Sequence, residues 1–253
     1  MRSAKAVFKV QLKGIAKTPE ILIQFIMFPL IALLINTLIS TFDIDFEGIP
    51  VDIATEIGNI MMANMPNMVT MQATIFAGMG LIMVISGLVA ENIEKKTLRF
   101  LMMAGVKPAS YLLGISGVIL FASLFSSVAF SLIGEFSGVD FWIFTAAMMS
   151  AVVGSIILGA TIGIITKNQQ SASGLSLPAA VIFGFIPMIA QFNENIARYF
   201  HPIYTQQLNV IATTINSGVA ETPLWQSFVI IWANVAVLGI LFAVVYKRKG
   251  LSE

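Results

Sequence analysis

Charged positions along this chain are gathered into a few short segments, and long apolar stretches lie between them. Six stretches carry no charged residue: Ile21–Phe42, Met68–Ala90, Tyr111–Ile133, Phe141–Thr166, Ala172–Phe192 and Trp225–Tyr246. Each is long enough to cross a bilayer core, which takes roughly 20 helical residues. Lipid cannot satisfy an open backbone, so each is expected to be a helix. The pattern predicts an all-α integral membrane protein of six transmembrane helices, forming a single transmembrane domain over residues 1–253.

The polar segments add three features. Lys5, Lys9, Lys13 and Lys17 recur every four residues, and Arg2 shares their arc of a helical wheel. Ala4, Val7, Phe8, Val10, Leu12 and Ile15 cover the other face, so residues 1–18 are expected to form an amphipathic interfacial helix on anionic lipid. The plainer reading of the same lysines is a positive-inside anchor with no further role. The segment Glu91–Gly114, ENIEKKTLRFLMMAGVKPASYLLG, is charged at its start and apolar in its middle, and Gly105 and Pro108 break it. A short helix from about Glu94 to Ala104 is expected there, exposing Arg99 and burying Leu98, Leu101 and Met102. Apolar residues on such a connection point to a docking surface, the plainer reading being a connector that rests on the bilayer. The connection of residues 193–224 is apolar for a loop, and His201-Pro202 and Thr222-Pro223 interrupt it. It reads as a re-entrant pair of short helices or as an interfacial loop with aromatic anchors.

Composition agrees with this organisation. Of 253 residues, 57% are hydrophobic and 11% charged, far from the roughly 25% charged of soluble domains. The net charge of +1 gives no reason to expect nucleic acid as a partner. Orientation follows from the basic residues. Thirteen of the fourteen fall on one side of a six-span chain, and only Arg198 falls on the other. The first outer loop carries Asp43, Asp45, Glu47, Asp52 and Glu56 instead. Both ends are therefore expected in the cytoplasm of a multi-pass cell-membrane protein. Ile21–Phe42 is too long for a signal-peptide core and lacks a small-x-small cleavage site.

Catalytic motifs are missing. The chain contains no GxxxxGK[ST] phosphate loop, and its one histidine, His201, excludes an HExxH site. No cysteine is present to form a thiolate metal site. No carboxylate lies in the middle of a span, where proton coupling would need one. The reading is of a non-enzyme with no cofactor of its own. Within the spans, Gln24, Asn36, Gln72 and Asn234 are neutral amides that either cross-link helices or touch cargo, with Asn36, Gln72 and Asn234 the candidates for a pathway. Pro29, Pro178 and Pro187 are expected to kink their helices, and Ser155, Gly159 and Gly163 make a small-residue packing face.

The segment after the second span resembles a known family. Glu91, Glu94, Lys95, Lys96, Thr97, Leu98, Arg99, Leu101, Pro108, Tyr111, Leu112, Leu113 and Gly114 look like the coupling-helix region of type-2 ABC exporter permeases, although Ile115 stands where the family often has Lys. The interfacial helix, six spans and inward termini extend the resemblance over the whole chain. It implies a coupling helix at residues 91–107 that docks on a separate cytoplasmic ATPase. The docking residues would be Glu91, Glu94, Lys95, Thr97, Leu98, Arg99, Phe100, Leu101 and Met102. ATP and Mg would bind that ATPase. The chain would pair with itself or with a similar permease, and the re-entrant outer helices would cap the exit. The competing expectation is an ATP-independent transporter, channel or scaffold.

Because the chain lacks cysteine, its topology is directly testable. Single cysteines at Lys95, Lys167 or Lys247 should resist a membrane-impermeant thiol reagent in intact cells, and cysteine at Arg198 should react. Labelling at position 95 from outside would refute the orientation.

Overall fold

The computed structural model describes residues 19–41, 68–190, 193–218 and 223–252. The expected interfacial helix at 1–18 and the acidic segment 43–56 lie outside them. The described residues form helices and short turns, with no strand among them. We number the helices in chain order. They are α1 (Pro19–Thr41), α2 (Met68–Glu94), α3 (Thr97–Met103), α4 (Pro108–Ile133), α5 (Gly138–Ile165), α6 (Gln169–Ala190), α7 (Glu194–Phe200), α8 (Tyr204–Ser217) and α9 (Leu224–Ser252).

Five helices are long and apolar enough to cross a membrane: Met68–Glu94, Ala109–Ile133, Gly138–Ile165, Gln169–Ala190 and Leu224–Arg248. The first expected span falls in α1, which has 23 residues and a shorter apolar stretch at Ile23–Leu38. The outward surface is apolar as well. Phe121, Phe125 and Leu132 on α4 are exposed, as are Trp225, Trp232, Val237 and Ile240 on α9. A soluble protein would not leave such continuous apolar surface to water. The architecture is that of an all-α, multi-pass membrane protein.

The core forms around α5. Its residues Ala147, Met148, Ala151, Val152 and Ala160 are fully buried, and α2, α4, α6, α8 and α9 all pack against it. The closest approach is to α2, through the small-residue face. A Cβ added at Gly159 would stand 2.9 Å from the carbonyl oxygen of Ile82, and one at Gly163 would stand 2.7 Å from that of Ser86. One turn earlier along α2, a Cβ at Gly78 would lie 2.2 Å from the carbonyl oxygen of Phe183 in α6. In lipid such backbone contact replaces the hydrophobic drive as the source of helix association, through van der Waals packing.

Two irregularities in the helices are each met by a hydroxyl from another helix. Proline has no N–H, so Pro29 leaves the Phe25 carbonyl without its intrahelical donor. Ser126 of α4 supplies one, donating Oγ–H to the Phe25 oxygen at 2.8 Å. In α2 the turn Phe76–Gly80 is π-helical, widened so that Leu81 N–H reaches the Phe76 carbonyl. Within that turn, Ser155 of α5 donates to the Ala77 carbonyl oxygen. Phe76 sits at the same place in an aromatic cluster, with ring centroids 5.7 Å from Phe25, 5.5 Å from Phe28 and 5.9 Å from Phe130. One π-helical turn thereby joins α1, α2, α4 and α5.

Two substitutions separate hydrogen bonding from close packing. Ser126→Ala should cost about 1 kcal/mol of unfolding free energy, because the Phe25 carbonyl loses its donor. Gly78→Ala should cost more, about 1–3 kcal/mol, since its Cβ meets main chain and no side chain can move aside. Denaturant titration in micelles measures both, and an unchanged midpoint for Gly78→Ala would contradict the packing.

Candidate functional site

The connection from α2 to α4 is built on a left-handed residue. Lys96 has φ +58°, which costs an L-residue roughly 1–2 kcal/mol. That residue ends α2, whose last turn closes with Lys95 N–H to Glu91 O at 2.9 Å and Lys96 N–H to Ile93 O at 2.8 Å. Helix α3 then runs in a new direction for seven residues. It stops where Gly105 takes φ +73°, and Val106 N–H folds back to Leu101 O at 3.0 Å. Pro108 opens α4 in its first turn, where a missing N–H costs nothing. The expected continuous helix from Glu94 to Ala104 is thus divided at Lys95–Lys96.

The charged candidates are tied within the chain. Glu91, partly buried, pairs with exposed Lys95 one turn on. The hydrogen bond and charge of Glu91 raise the Lys95 pKa above its usual value. A raised cation pKa stabilises the fold below the unfolded value, and the gain is lost only as pH rises through the folded value, in the strongly alkaline range. Glu94 is exposed, and its Oε2 accepts from the amide of Gln169 at 3.3 Å, at the start of α6. Asn168 completes that helix start, its Oδ1 accepting from Ser171 N–H at 2.8 Å. A carboxylate at a helix N-terminus is favoured by the helix dipole.

The apolar candidates divide by face. Phe100 is 67% exposed, and Met103, one turn further on, is 74% exposed. Arg99 is exposed beside them, and Thr97 is half-buried. Leu101 turns the other way and packs against the core. The side chains of Leu98 and Met102 lie outside the described residues. The sequence reading left out Met103, whose signal was its spacing of three from Phe100, which puts both on one helix face. It also missed the residues that fasten the linker after α3. Tyr246 of α9 donates its hydroxyl to Val106 O at 3.1 Å, and its ring packs on Tyr111 at 5.8 Å. Asn92 of α2 donates to the Tyr111 hydroxyl at 3.4 Å.

A second group of candidates surrounds α8. Its first residue, Tyr204, shares a 2.8 Å hydrogen bond with the Ser155 hydroxyl and stacks on Phe183 of α6 at 5.2 Å. Gly154 leaves room for the ring, since a Cβ there would be 3.2 Å from it. At 1.5 Å per residue, Ser155 is about 26 Å from the Gly138 end of α5. The start of α8 therefore lies deep among the long helices. Asn234 of α9 donates Nδ2–H to the Pro202 carbonyl at 2.7 Å and to Ile230 O at 2.8 Å. Gln207 donates to the His201 carbonyl, and Asn209 donates to Pro187 O at 3.2 Å. Of the three pathway candidates, Asn234 thus holds the α7–α8 turn, while Asn36 and Gln72 sit half-buried on α1 and α2. Asn193 caps α7, accepting from Asn195 N–H at 3.0 Å and Ile196 N–H at 3.3 Å.

Among the described residues, no three His, Asp or Glu side chains gather so as to hold a metal ion. No protein-family model matches the chain, and no curated protein matches it.

The left-handed break is testable by itself. Lys96→Gly should stabilise the protein by up to about 1 kcal/mol, because glycine takes positive φ without the Cβ penalty. Chemical unfolding of the purified chain measures this, and a clear loss of stability would contradict the backbone conformation.

Proposed function

We propose that the chain is the membrane-spanning subunit of an ATP-driven exporter, coupled through α3 to a separate cytoplasmic ATPase. The observation that carries this reading is α3 itself. It is a seven-residue helix set off from α2 and α4 by two left-handed residues, Lys96 and Gly105, and it turns Phe100 and Met103 outward. A short rigid helix between two long ones can pass a rigid-body push to both. An apolar face rimmed by Arg99 suits a partner groove better than open water. The resemblance of Glu91–Gly114 to the coupling region of type-2 ABC permeases supports the same reading.

The proposal includes six spans, with α1 as the first, and both termini in the cytoplasm beside Lys95, Lys167 and Lys247. It includes a second permease copy, or a similar chain, beside this one. Helices α7 and α8 form the re-entrant outer hairpin, a placement favoured by the depth of Tyr204 along α5. ATP and Mg belong to the ATPase. The Glu91–Lys95 ion pair and the Gln169 N–H bond to the Glu94 carboxylate hold the shape of the docking surface, and Phe100, Met103 and Arg99 meet the partner.

Phe100→Ala combined with Met103→Ala should leave insertion and folding intact while removing most association with the ATPase. Truncating a central apolar anchor costs about 2 kcal/mol or more, near thirtyfold in affinity. Leu101→Ala should instead lower stability, because Leu101 packs inward. The measurements are co-purification of an ATPase from the native membrane, ATP hydrolysis, and the unfolding midpoint. Transport by the purified chain with no ATPase present would sink the proposal in favour of an ATP-independent transporter.

A further inference from the structure

We infer that Tyr246 is the positioning residue of α3: by holding the Val106 carbonyl, its hydroxyl ties α3 to the end of α9 and keeps Phe100 and Met103 turned outward. The inference deepens the docking reading proposed above and rests on it for its purpose, while its test reads this chain alone. A seven-residue helix does not hold itself, since isolated helices below about 12–15 residues are marginal in water. The orientation of α3 therefore comes from its two ends and from what they are tied to.

The end after Met103 is a Schellman closure. Gly105 takes the left-handed position, and Val106 N–H returns to Leu101 O at 3.0 Å. Leu101 is also a residue of α3 that packs on the core, and Val106 packs there with it. Val106 thus spends its N–H on the inward side of α3, and its carbonyl is left for another element. Tyr246 takes that carbonyl at 3.1 Å. One linker residue thereby joins the rotation of α3 to the position of α9.

Tyr246 is itself fixed. It is 4% exposed, and its ring lies 5.8 Å from Tyr111 of α4 and 5.8 Å from Phe242, one turn earlier on α9. Tyr111 in turn accepts from Asn92 of α2 at 3.4 Å. The ends of α2, α4 and α9 therefore meet beside the linker. Apolar ring contact is non-directional and would keep the linker near α9 in more than one orientation. A hydrogen bond is directional and selects one of them. Phenylalanine at position 246 would keep the ring contacts and lose that selection. Tyr111 gives an internal comparison, a buried tyrosine whose hydroxyl is engaged by Asn92.

The test compares Tyr246→Phe with Tyr111→Phe by hydrogen–deuterium exchange of the whole chain in lipid nanodiscs. The amides of Phe100, Ala104 and Val106 are bonded to Lys96 O, Phe100 O and Leu101 O, so their exchange reports the opening of α3 and of its closure. Loss of one hydrogen bond shifts such an opening equilibrium about 3–10-fold. Tyr246→Phe should speed exchange over residues 97–107 by that factor and leave the buried stretch 147–160 of α5 unchanged. Tyr111→Phe should leave residues 97–107 at the wild-type rate. Unchanged exchange over 97–107 in Tyr246→Phe overturns the inference. Equal acceleration by both variants, or acceleration that spreads to α5, overturns it too, because Tyr246 would then only fill space. Failure of any ATPase to co-purify with the wild type would count against the docking reading alone, since the exchange comparison still decides the role of Tyr246.

Discussion

Every main-chain polar group buried in an apolar bundle needs a partner from the protein, and this requirement governs the rest of the structure. Regular helix satisfies it locally, but this chain departs from regular helix at several points. At three of them, a side chain from elsewhere in the sequence meets the carbonyl concerned. Ser126 meets Phe25 O below Pro29, Ser155 meets Ala77 O in the π-helical turn, and Asn234 meets Pro202 O at the turn before α8. These bonds join residues far apart in sequence, so they fix which helices are neighbours and at what register. The irregularity and its donor form one unit, and each bond adds about 1 kcal/mol to that neighbourhood.

Close backbone packing adds rigidity to that register. Gly159 and Gly163 hold α5 against α2, and Gly78 with Gly184 holds α6 against the preceding stretch of α2. At the end that carries Lys95, the Glu94 carboxylate links α2 to the start of α6. A helix held by main-chain contact to two neighbours cannot bend gradually, because packed interfaces are bistable and do not deform continuously. Under the proposed coupling, a push on α3 would therefore move α2 together with its partners. The π-helical turn interrupts the standard bond ladder of α2, and there Phe76 carries ring contacts to α1 and α4.

Much of the architecture was legible in sequence because it is local. The absence of charge over about 20 residues marked the apolar helices, and Met68–Ala90 became Met68–Glu94 with only its polar end extended. The four-residue spacing of Ser155, Gly159 and Gly163 announced a packing face, which proved to meet α2. Pro29 announced an irregularity, but its partner Ser126, 101 residues away, could not be read from any local pattern. The π-helical turn FAGMG has no periodic signature. The break at Lys96 was hidden because a lysine with positive φ is rare, and nothing in Glu-Lys-Lys-Thr marks it. Periodicity alone put Leu101 with the buried residues of α3, and it stopped short of Met103, where the exposed face continues.

The division of labour in the α2–α4 connection follows from cost. An exposed ion pair contributes little affinity, so a docking surface built from Glu91, Glu94 and Lys95 would be weak and sensitive to salt. The structure uses these groups within the chain, where a carboxylate at a helix start and an i, i+4 pair hold short elements in place. Apolar side chains behave in the opposite way. Phe100 and Met103 gain nothing by standing in water, and inward rotation of α3 would bury them at the expense of Leu101. Holding that rotation open requires Lys96 in a strained conformation and the Tyr246 hydroxyl on the linker at Val106. Under the proposed coupling, that cost is recovered when the ATPase covers Phe100 and Met103, which folding of this chain alone does not do.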